Sequence, residues 1–598
     1  MTALRLPRAS VVMFAALVVA TGAAFFVTQR LKRSTPIVER VYFYEWISPN
    51  GDGRKDFVRL RFDLPKAQRV TVWIVNSRGE EARTLADDRF MHRGTRHFVW
   101  NGNDDSGIVV PDGTYHLRVG LRAEGRSVTV PRPLHVDTKP PNVRIVAVTP
   151  STVVPGFTGA RGRARIRFSG PTVVAPVFGV WRTDTPRATE VATFKGHRGR
   201  HTGTWDGLVN GRPAPPGAYA MSVTLEDIAG NQGSAPSVLP PVRAFAIANS
   251  GVAISYFSIA GPAVPVKPGA IARFTVGPIG QRTRWRFGPF ATGKVLESGS
   301  SHGARIAVRM PRGLSAGIYT FFATSAGGRH AAWPVVVGTT GGAAPVLVVV
   351  PVMTWQGLDP IESNGDGFPD TLDAGDAVPL VRPYASGKPL RGQNAAAPAP
   401  SASILGFLDG AIRANYDLTT DVALAAGHSP ALAGHRGVVF AGTERWVPPQ
   451  LAVALRRFVA GGGRVASFGE DAFRRRVTLA KGMLRNPTAP ALANIFGERT
   501  SQFTSPPAPM VTVGTDKLQL LAGTDGFFGN FTHFERSGGF GGGIELMTGA
   551  GRNQKPDFVA YRLGRGQVVR VGSDQWAAQL GDPEIDDITK RIWALLSQ

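Results

Sequence analysis

WNGNDDSGIVVPDGTYHLRV, residues 100–119, decides how the first half of this chain is read. It returns as WDGLVNGRPAPPGAYAMSV, residues 205–223. Both begin with Trp, a polar residue and Gly. Both end with a proline, a glycine, one residue and a tyrosine that opens an alternating apolar run. Trp100 and Trp205 are 105 residues apart and Tyr115 and Tyr219 are 104 apart; a third Gly-x-Tyr ends at Tyr319, 100 residues further on. A period near one hundred residues is the size of an immunoglobulin-like sandwich. The flanking runs VYFYEWIS (41–48), DFVRLRFDL (56–64), RVTVWIVN (69–76) and YHLRVGL (115–121) are short, rich in β-branched and aromatic residues, and bounded by turn residues, as strands are. VDTKPP (136–141) ends in two prolines, which cannot donate to a sheet, and separates the first two repeats.

These two repeats resemble the Ig-like domain of the flagellar hook-capping protein FlgD, a module reused in many exported bacterial proteins and often introduced by a SPNGDG segment. ISPNGDGRKD (47–56) stands in that place here. The resemblance covers residues 37 to about 248 and implies a β-sandwich with a surface role, not flagella. The third repeat, about 249–340, lacks the Trp-x-Gly half.

Composition narrows the function. The chain has 598 residues, enough for several domains, with 72 Gly and 46 Pro to supply many turns. It has no cysteine, so a disulfide, a thiolate metal site and a Cys nucleophile are all excluded. Its 68 Lys+Arg against 43 Asp+Glu give a net charge of +25. The basic residues are scattered and match no nucleic-acid-binding pattern, so an anionic cell-wall polymer or surface ligand is the partner class expected, if the charge has a partner at all. GSSHG (299–303) fits G-x-S-x-G but lies in a β-rich segment, where a nucleophile elbow has no strand-to-helix turn to stand on.

After GTTGGAAP (338–345) the pattern changes. VLVVVP (346–351), GVVFAG (437–442), RVASFG (464–469) and GQVVRVG (566–572) read as buried strands; SASILGFLDGAIRANY (401–416), PPQLAVALRRFVAGGG (448–463) and IDDITKRIWALLSQ (585–598) read as helices. Alternation of this kind predicts an α/β domain with a mostly parallel sheet. The segments VLVVVPVMTWQ (346–356), NYDLTTD (415–421), AGHRGVVFAGTERWVPPQLAVALRRFVAGGGRVASFG (433–469) and YRLGRGQVVRVG (561–572) resemble the C-terminal domain of the N,N-dimethylformamidase large-subunit family, which has a class I glutamine-amidotransferase-like fold. The family's enzymes are iron amidohydrolases with tyrosine and carboxylate ligands. The resemblance places Tyr416 and Glu444 at such positions. Leu358 stands where the family tends to carry tyrosine, and Arg445 where it often carries an aromatic residue.

One acidic island interrupts this basic chain: ESNGDGFPDTLDAGD, residues 362–376. On the calcium-loop template it offers Glu362, Asn364, Asp366, the carbonyl of Phe368, Asp370 and Asp373, with Gly367 at the tight turn; a solvated acidic turn is the alternative. The SPNGDGRKD loop offers Ser48, Asn50, Asp52 and Asp56 on the same template, with Arg59 at the last position, or it is an Asn-Gly/Asp-Gly turn. The calcium expected is structural.

SVVMFAALVVATGAAFFV (10–27) is uncharged and flanked by Arg and Lys, which predicts a transmembrane signal-anchor or a cleaved signal peptide. The expected architecture is therefore multidomain. It runs from a tail and membrane anchor (1–36) through tandem all-β Ig-like sandwiches (37–138, 139–248 and 249–340) to an α/β domain (341–598). The expected location is the cell membrane, single-pass, with the bulk of the chain extracytoplasmic. Two functions follow: a non-catalytic surface binding or structural protein, or a metal-dependent amide hydrolase related to N,N-dimethylformamidase with iron as its cofactor.

Overall fold

The computed structural model describes residues 8–32, 38–339, 344–389, 397–540, 543–550 and 555–598. The two Trp…Tyr repeats fold alike. In the first, a three-stranded sheet (Glu39–Tyr42, Val58–Leu64, Gly94–Trp100) packs on a larger one ordered Trp46–Ile47, Leu134–Val136, Gly113–Leu121, Gln68–Asn76, Glu81–Met91. The second repeats that order strand for strand, from Arg144–Thr149, Ala164–Ser169 and Thr202–Trp205 to Gly217–Glu226 and Val177–Arg182. Period-two sequence drives the packing: along Val58–Leu64, Val58, Leu60, Phe62 and Leu64 are buried while Arg59 and Arg61 are exposed. Strand Gly251–Ile254 pairs with Gly217–Glu226, so the second sandwich extends beyond residue 248. A third sandwich follows, three strands (Ser258–Ala260, Ile271–Gly277, Arg305–Arg309) against four that include Gly317–Ser325 and His330–Val337.

The repeated residues make one repeated hook. The Tyr115 hydroxyl donates to the Pro111 carbonyl (2.8 Å), Tyr219 to Pro215 (2.8 Å) and Tyr319 to Ser315 (2.9 Å). Trp100 and Trp205 close the loop opposite by donating to the carbonyls of Asn103 (2.8 Å) and Leu208 (2.9 Å), and each indole lies 5.5 Å from its tyrosine ring. The hook and the ring are separable. Tyr219→Phe, which keeps the buried ring, is expected to cost about 1 kcal/mol in a urea melt; Tyr219→Ala, which leaves a cavity, about 3–5 kcal/mol.

The C-terminal domain is built on a nine-stranded sheet. Its strands, numbered within it, are β1 (Val346–Val350), β2 (Tyr416–Thr420), β3 (Gly437–Phe440), β4 (Arg464–Phe468), β5 (Arg499–Asp516), β6 (Phe527–Gly539), β7 (Ile544–Ala550), β8 (Lys555–Leu563) and β9 (Gly566–Val571). Their order is β2-β1-β3-β4-β9-β8-β7-β5-β6. Helices α2 (Val352–Leu358), α3 (Ala399–Phe407), α4 (Asp421–Ala425), α5 (Pro449–Ala460) and α6 (Pro583–Ser597) accompany it. Helix α5 starts with Pro449 in its first turn, stops at Gly461 and buries Leu451, Ala452, Leu455 and Val459.

Two parts of the expected architecture are corrected. The sheet is not mostly parallel: β2, β1, β3, β4 and β9 pair in parallel, but β9 through β6 pair antiparallel. The antiparallel half comes from residues 499–563, where Pro-, Ser- and Gly-containing strands gave no apolar run to read. The membrane anchor also falls. Residues Arg8–Lys32 do form a helix, α1, but among the described residues no helix is long and apolar enough to cross a membrane. The single-pass membrane location inferred from that segment is withdrawn with it.

Candidate functional site

In an open parallel sheet, ligands bind outside the carboxyl ends of the strands. Here four of the five parallel strands run out into acidic residues: β2 into Asp421, β3 into Glu444, β4 into Glu470 and Asp471, and β9 into Asp574. Asp421 is fully buried and accepts hydrogen bonds from the amides of Val352 (3.0 Å) and Met353 (2.8 Å), so it caps the start of α2. Burial pushes its pKa up to about 7, against the pull of those amides. Glu444 is 0% exposed, and among the described residues neither carboxylate oxygen has a hydrogen-bond partner. Burial first, and the like charge of Asp421 second, push Glu444 well above the usual carboxylate range. The loop that carries it is tightly boxed. At Gly469, after β4, a Cβ would lie 2.8 Å from the Thr443 Cα.

Beside this pair lies an arginine–carboxylate lattice. Asp471 pairs with Arg475 and, at 3.5 Å, with Arg474; Arg474 reaches Glu535 at 3.6 Å. Arg570 holds Glu498 bidentately (2.7 and 2.9 Å), with both side chains buried. Glu470 accepts from Gln502 (3.2 Å); burial, then Asp574 and Glu535, push its pKa up to about 8. None of Glu470, Asp471 or Asp574 was singled out from the sequence. The signal was present: each lies within three residues of the end of an apolar run, in VASFGED and VVRVGSD.

The structure does not bring Tyr416 and Glu444 together. Tyr416 opens β2 and is level with Val346 and Gly437 at the amino end of the sheet, whereas Glu444 follows Phe440 at the carboxyl end. Tyr416 to Thr420 alone is about 13 Å of strand. The Tyr416 hydroxyl instead donates to Asp409 (2.7 Å), and its ring meets Trp593. These residues therefore do not fit one iron ion, and among the described residues no group of three or more His, Asp or Glu side chains is placed to hold a metal.

The two calcium-template loops are conformational twins. Gly51 and Gly53 have φ of +79° and +82°, Gly365 and Gly367 of +85° and +86°. One carboxylate bridges each glycine pair: Asp56 accepts from Gly51 and Gly53 (2.8 Å each), and Glu362 accepts from Gly365 (2.6 Å) and Gly367. Asn50 and Asn364 accept from the amides two residues on (3.0 and 2.8 Å), as do Asp52 and Asp366 (2.8 Å each). Asp370 accepts from the Ser363 amide and hydroxyl. Asp373, the sixth template residue, has left the loop and pairs with Arg475 and Arg445. Buried Arg382 holds the acidic loop from behind, donating to the carbonyls of Gln356, Asp359, Ile361 and Asp370.

Both loops dock on the second sandwich. Ser48 and Asn50 bond to buried Asn231, Lys55 donates to the Ile228 carbonyl (2.6 Å) and Arg54 pairs with Glu226 (3.1 Å). From the other side, the Gly251 amide donates to the Gly365 carbonyl (2.9 Å), Thr183 bonds to the Gly367 carbonyl, and the Phe368 ring packs on Trp181 and Ala220.

Comparison with known proteins gives one family. Residues 303–501 match the family described as N,N-dimethylformamidase beta subunit-like, C-terminal. The match begins inside the third sandwich and ends in β5. No curated protein matches. Among solved structures, a β-galactosidase from Rahnella sp. R3 is similar at 13% identity over 32% of this chain and 26% of its own, with a TM-score of 0.24. FlgD from P. aeruginosa is similar at 18% identity over 22% of this chain and 89% of its own, with a TM-score of 0.13. An alpha-2-macroglobulin from E. coli is similar at 10% over 51% of this chain and 24% of its own, with a TM-score of 0.18. The chain thus spans about a quarter of the β-galactosidase, and likenesses this weak carry no argument.

Proposed function

We propose, from the premise that residues 303–501 belong to the N,N-dimethylformamidase beta subunit-like C-terminal family, that this chain is a non-catalytic binding protein. Its sandwiches and its α/β domain are coupled to present a binding surface. The observation that carries this reading is Glu444: it is sealed from solvent, has no hydrogen-bond partner among the described residues and stands at the opposite end of the sheet from Tyr416. The family itself favours a second reading, a metal-dependent amide hydrolase.

One variant separates the two. Glu444→Gln keeps the shape and removes a titratable acid. A folded pKa raised above the unfolded one means stability that is fully present below about pH 4, and lost as pH rises through the folded value. Wild type is therefore expected to lose stability as pH rises above about 4, and the variant less so, with its melting temperature at neutral pH equal or higher. Neither is expected to hold iron stoichiometrically or release amine from N,N-dimethylformamide. Iron at one per chain, with turnover abolished in Glu444→Gln, would overturn the proposal in favour of the hydrolase.

A further inference from the structure

A groove of about 1670 Å³ opens where the second sandwich, the third sandwich and the acidic loop of the α/β domain meet. It is larger than a typical small-molecule pocket of about 300–1,000 Å³, which leaves room for an extended ligand. Its two lining carboxylates are already committed. Asp184 is held by Arg182 at 2.6 and 3.1 Å, and Glu362 bridges the Gly365 and Gly367 amides. Arg243 is likewise tied to Asp376 at 2.9 Å. Three lining cations remain, Arg187, Arg329 and Lys388, and none has an ion pair among the described residues.

Arg329 is the best placed of the three. Its guanidinium lies 4.3 Å from the centroid of the Tyr256 ring, and that ring is fixed by its hydroxyl, which donates to the Ala214 carbonyl at 2.7 Å. A guanidinium held over a ring face still has N–H groups to offer, which suits capture of a carboxylate or phosphate. Lys388 sits 5.9 Å from the Phe322 centroid. Between the cations the wall is apolar and rich in proline: Pro216, Pro240, Pro241 and Pro389. Prolines have no N–H to offer a peptide carbonyl, whereas the apolar face of a sugar ring packs on such a surface.

We propose that this groove binds a linear acidic polysaccharide, with Arg329 as the oxyanion anchor and Arg187 and Lys388 as flanking contacts. This rests on the binding reading above and names its ligand class.

The test is titration calorimetry on the full chain at about 50 mM salt, with an oligogalacturonate supplying carboxylates and, separately, a linear polyphosphate supplying phosphates. The oligogalacturonate is expected to bind one site, weaken as salt rises, and lose about tenfold in affinity in Arg329→Ala, the equivalent of 1.4 kcal/mol. Arg187→Ala is expected to weaken it several-fold and remote Lys66→Ala not at all. Polyphosphate bound more tightly than the saccharide would overturn the sugar and leave the oxyanion. Equal affinity in wild type, Arg329→Ala and Arg187→Ala would overturn the groove, as would no binding of either polymer. None of these outcomes touches the iron and turnover test, where the binding reading itself stands or falls.

Discussion

Arg570→Met is expected to destabilise the α/β domain by about 3–5 kcal/mol. Arg570 lies in β9, 1% exposed, holding Glu498 bidentately and lying 3.6 Å from Glu535. Both glutamates are 0% exposed. Burial first, with the charges of Glu498 and Asp471 after it, drives the Glu535 carboxyl up, and the Arg570 charge is the main force holding it down. Removing that charge strands two acids in the sheet, which must then protonate or stay uncompensated. A control lies one strand away. Arg562 pairs with Glu545 at 2.5 Å, but its side chain is 67% exposed, so Arg562→Met is expected to cost less than about 1 kcal/mol. The check is a urea melt of both variants against wild type. Equal losses would mean that the buried network is not what holds β5, β6 and β9 together. Pairing Arg570→Met with Glu498→Leu is expected to restore much of the loss, because replacing a buried pair by apolar groups of similar size is often neutral.

Gly367→Ala is expected to do more than its twin Gly53→Ala, although the two glycines share one backbone conformation. Each needs a left-handed φ, which costs a residue with a Cβ about 1–2 kcal/mol. At Gly53 nothing lies within 4 Å of the added Cβ, so that is the whole expected effect. At Gly367 the Cβ would lie 2.6 Å from the Ala220 Cα and 2.9 Å from its amide nitrogen. Backbone cannot give by that much, so the acidic loop must lift off the second sandwich and release Phe368 from Trp181. The expected readouts are a larger radius of gyration by X-ray scattering and faster proteolysis around residues 360–376, both absent in Gly53→Ala. Matching behaviour in the two variants would mean that the loop is not docked.

Much of the β half was written in local sequence. Trp100, Tyr115, Trp205 and Tyr219 recur at a fixed interval because each repeat needs the same hook, and alternation along runs such as VRLRFDL names the buried face directly. Continuous apolar runs marked β1, β3 and β4 because a strand covered on both faces has no polar side to show. The SPNGDG loop was legible as an Asn-Gly/Asp-Gly turn for the same reason: its Asn50, Asp52 and Asp56 side chains accept from amides two to five residues away.

What the sequence could not carry was anything set by distant partners. The antiparallel half of the sheet is held by pairing between strands such as β5 and β7, and its own residues show little periodicity. Asp373 matched a ligand template by spacing, yet long-range charge decides its place, because Arg475 and Arg445 lie more than seventy residues away. Tyr416 and Glu444 looked like partners in a linear alignment of segments, and strand direction puts them at opposite ends of one sheet. The sequence by itself determined which stretches fold as repeats, strands and turns, since those follow from contacts within a few residues. Only the tertiary structure decided which charges are sealed, paired or left free, because burial and Coulomb energy depend on what the rest of the chain brings alongside.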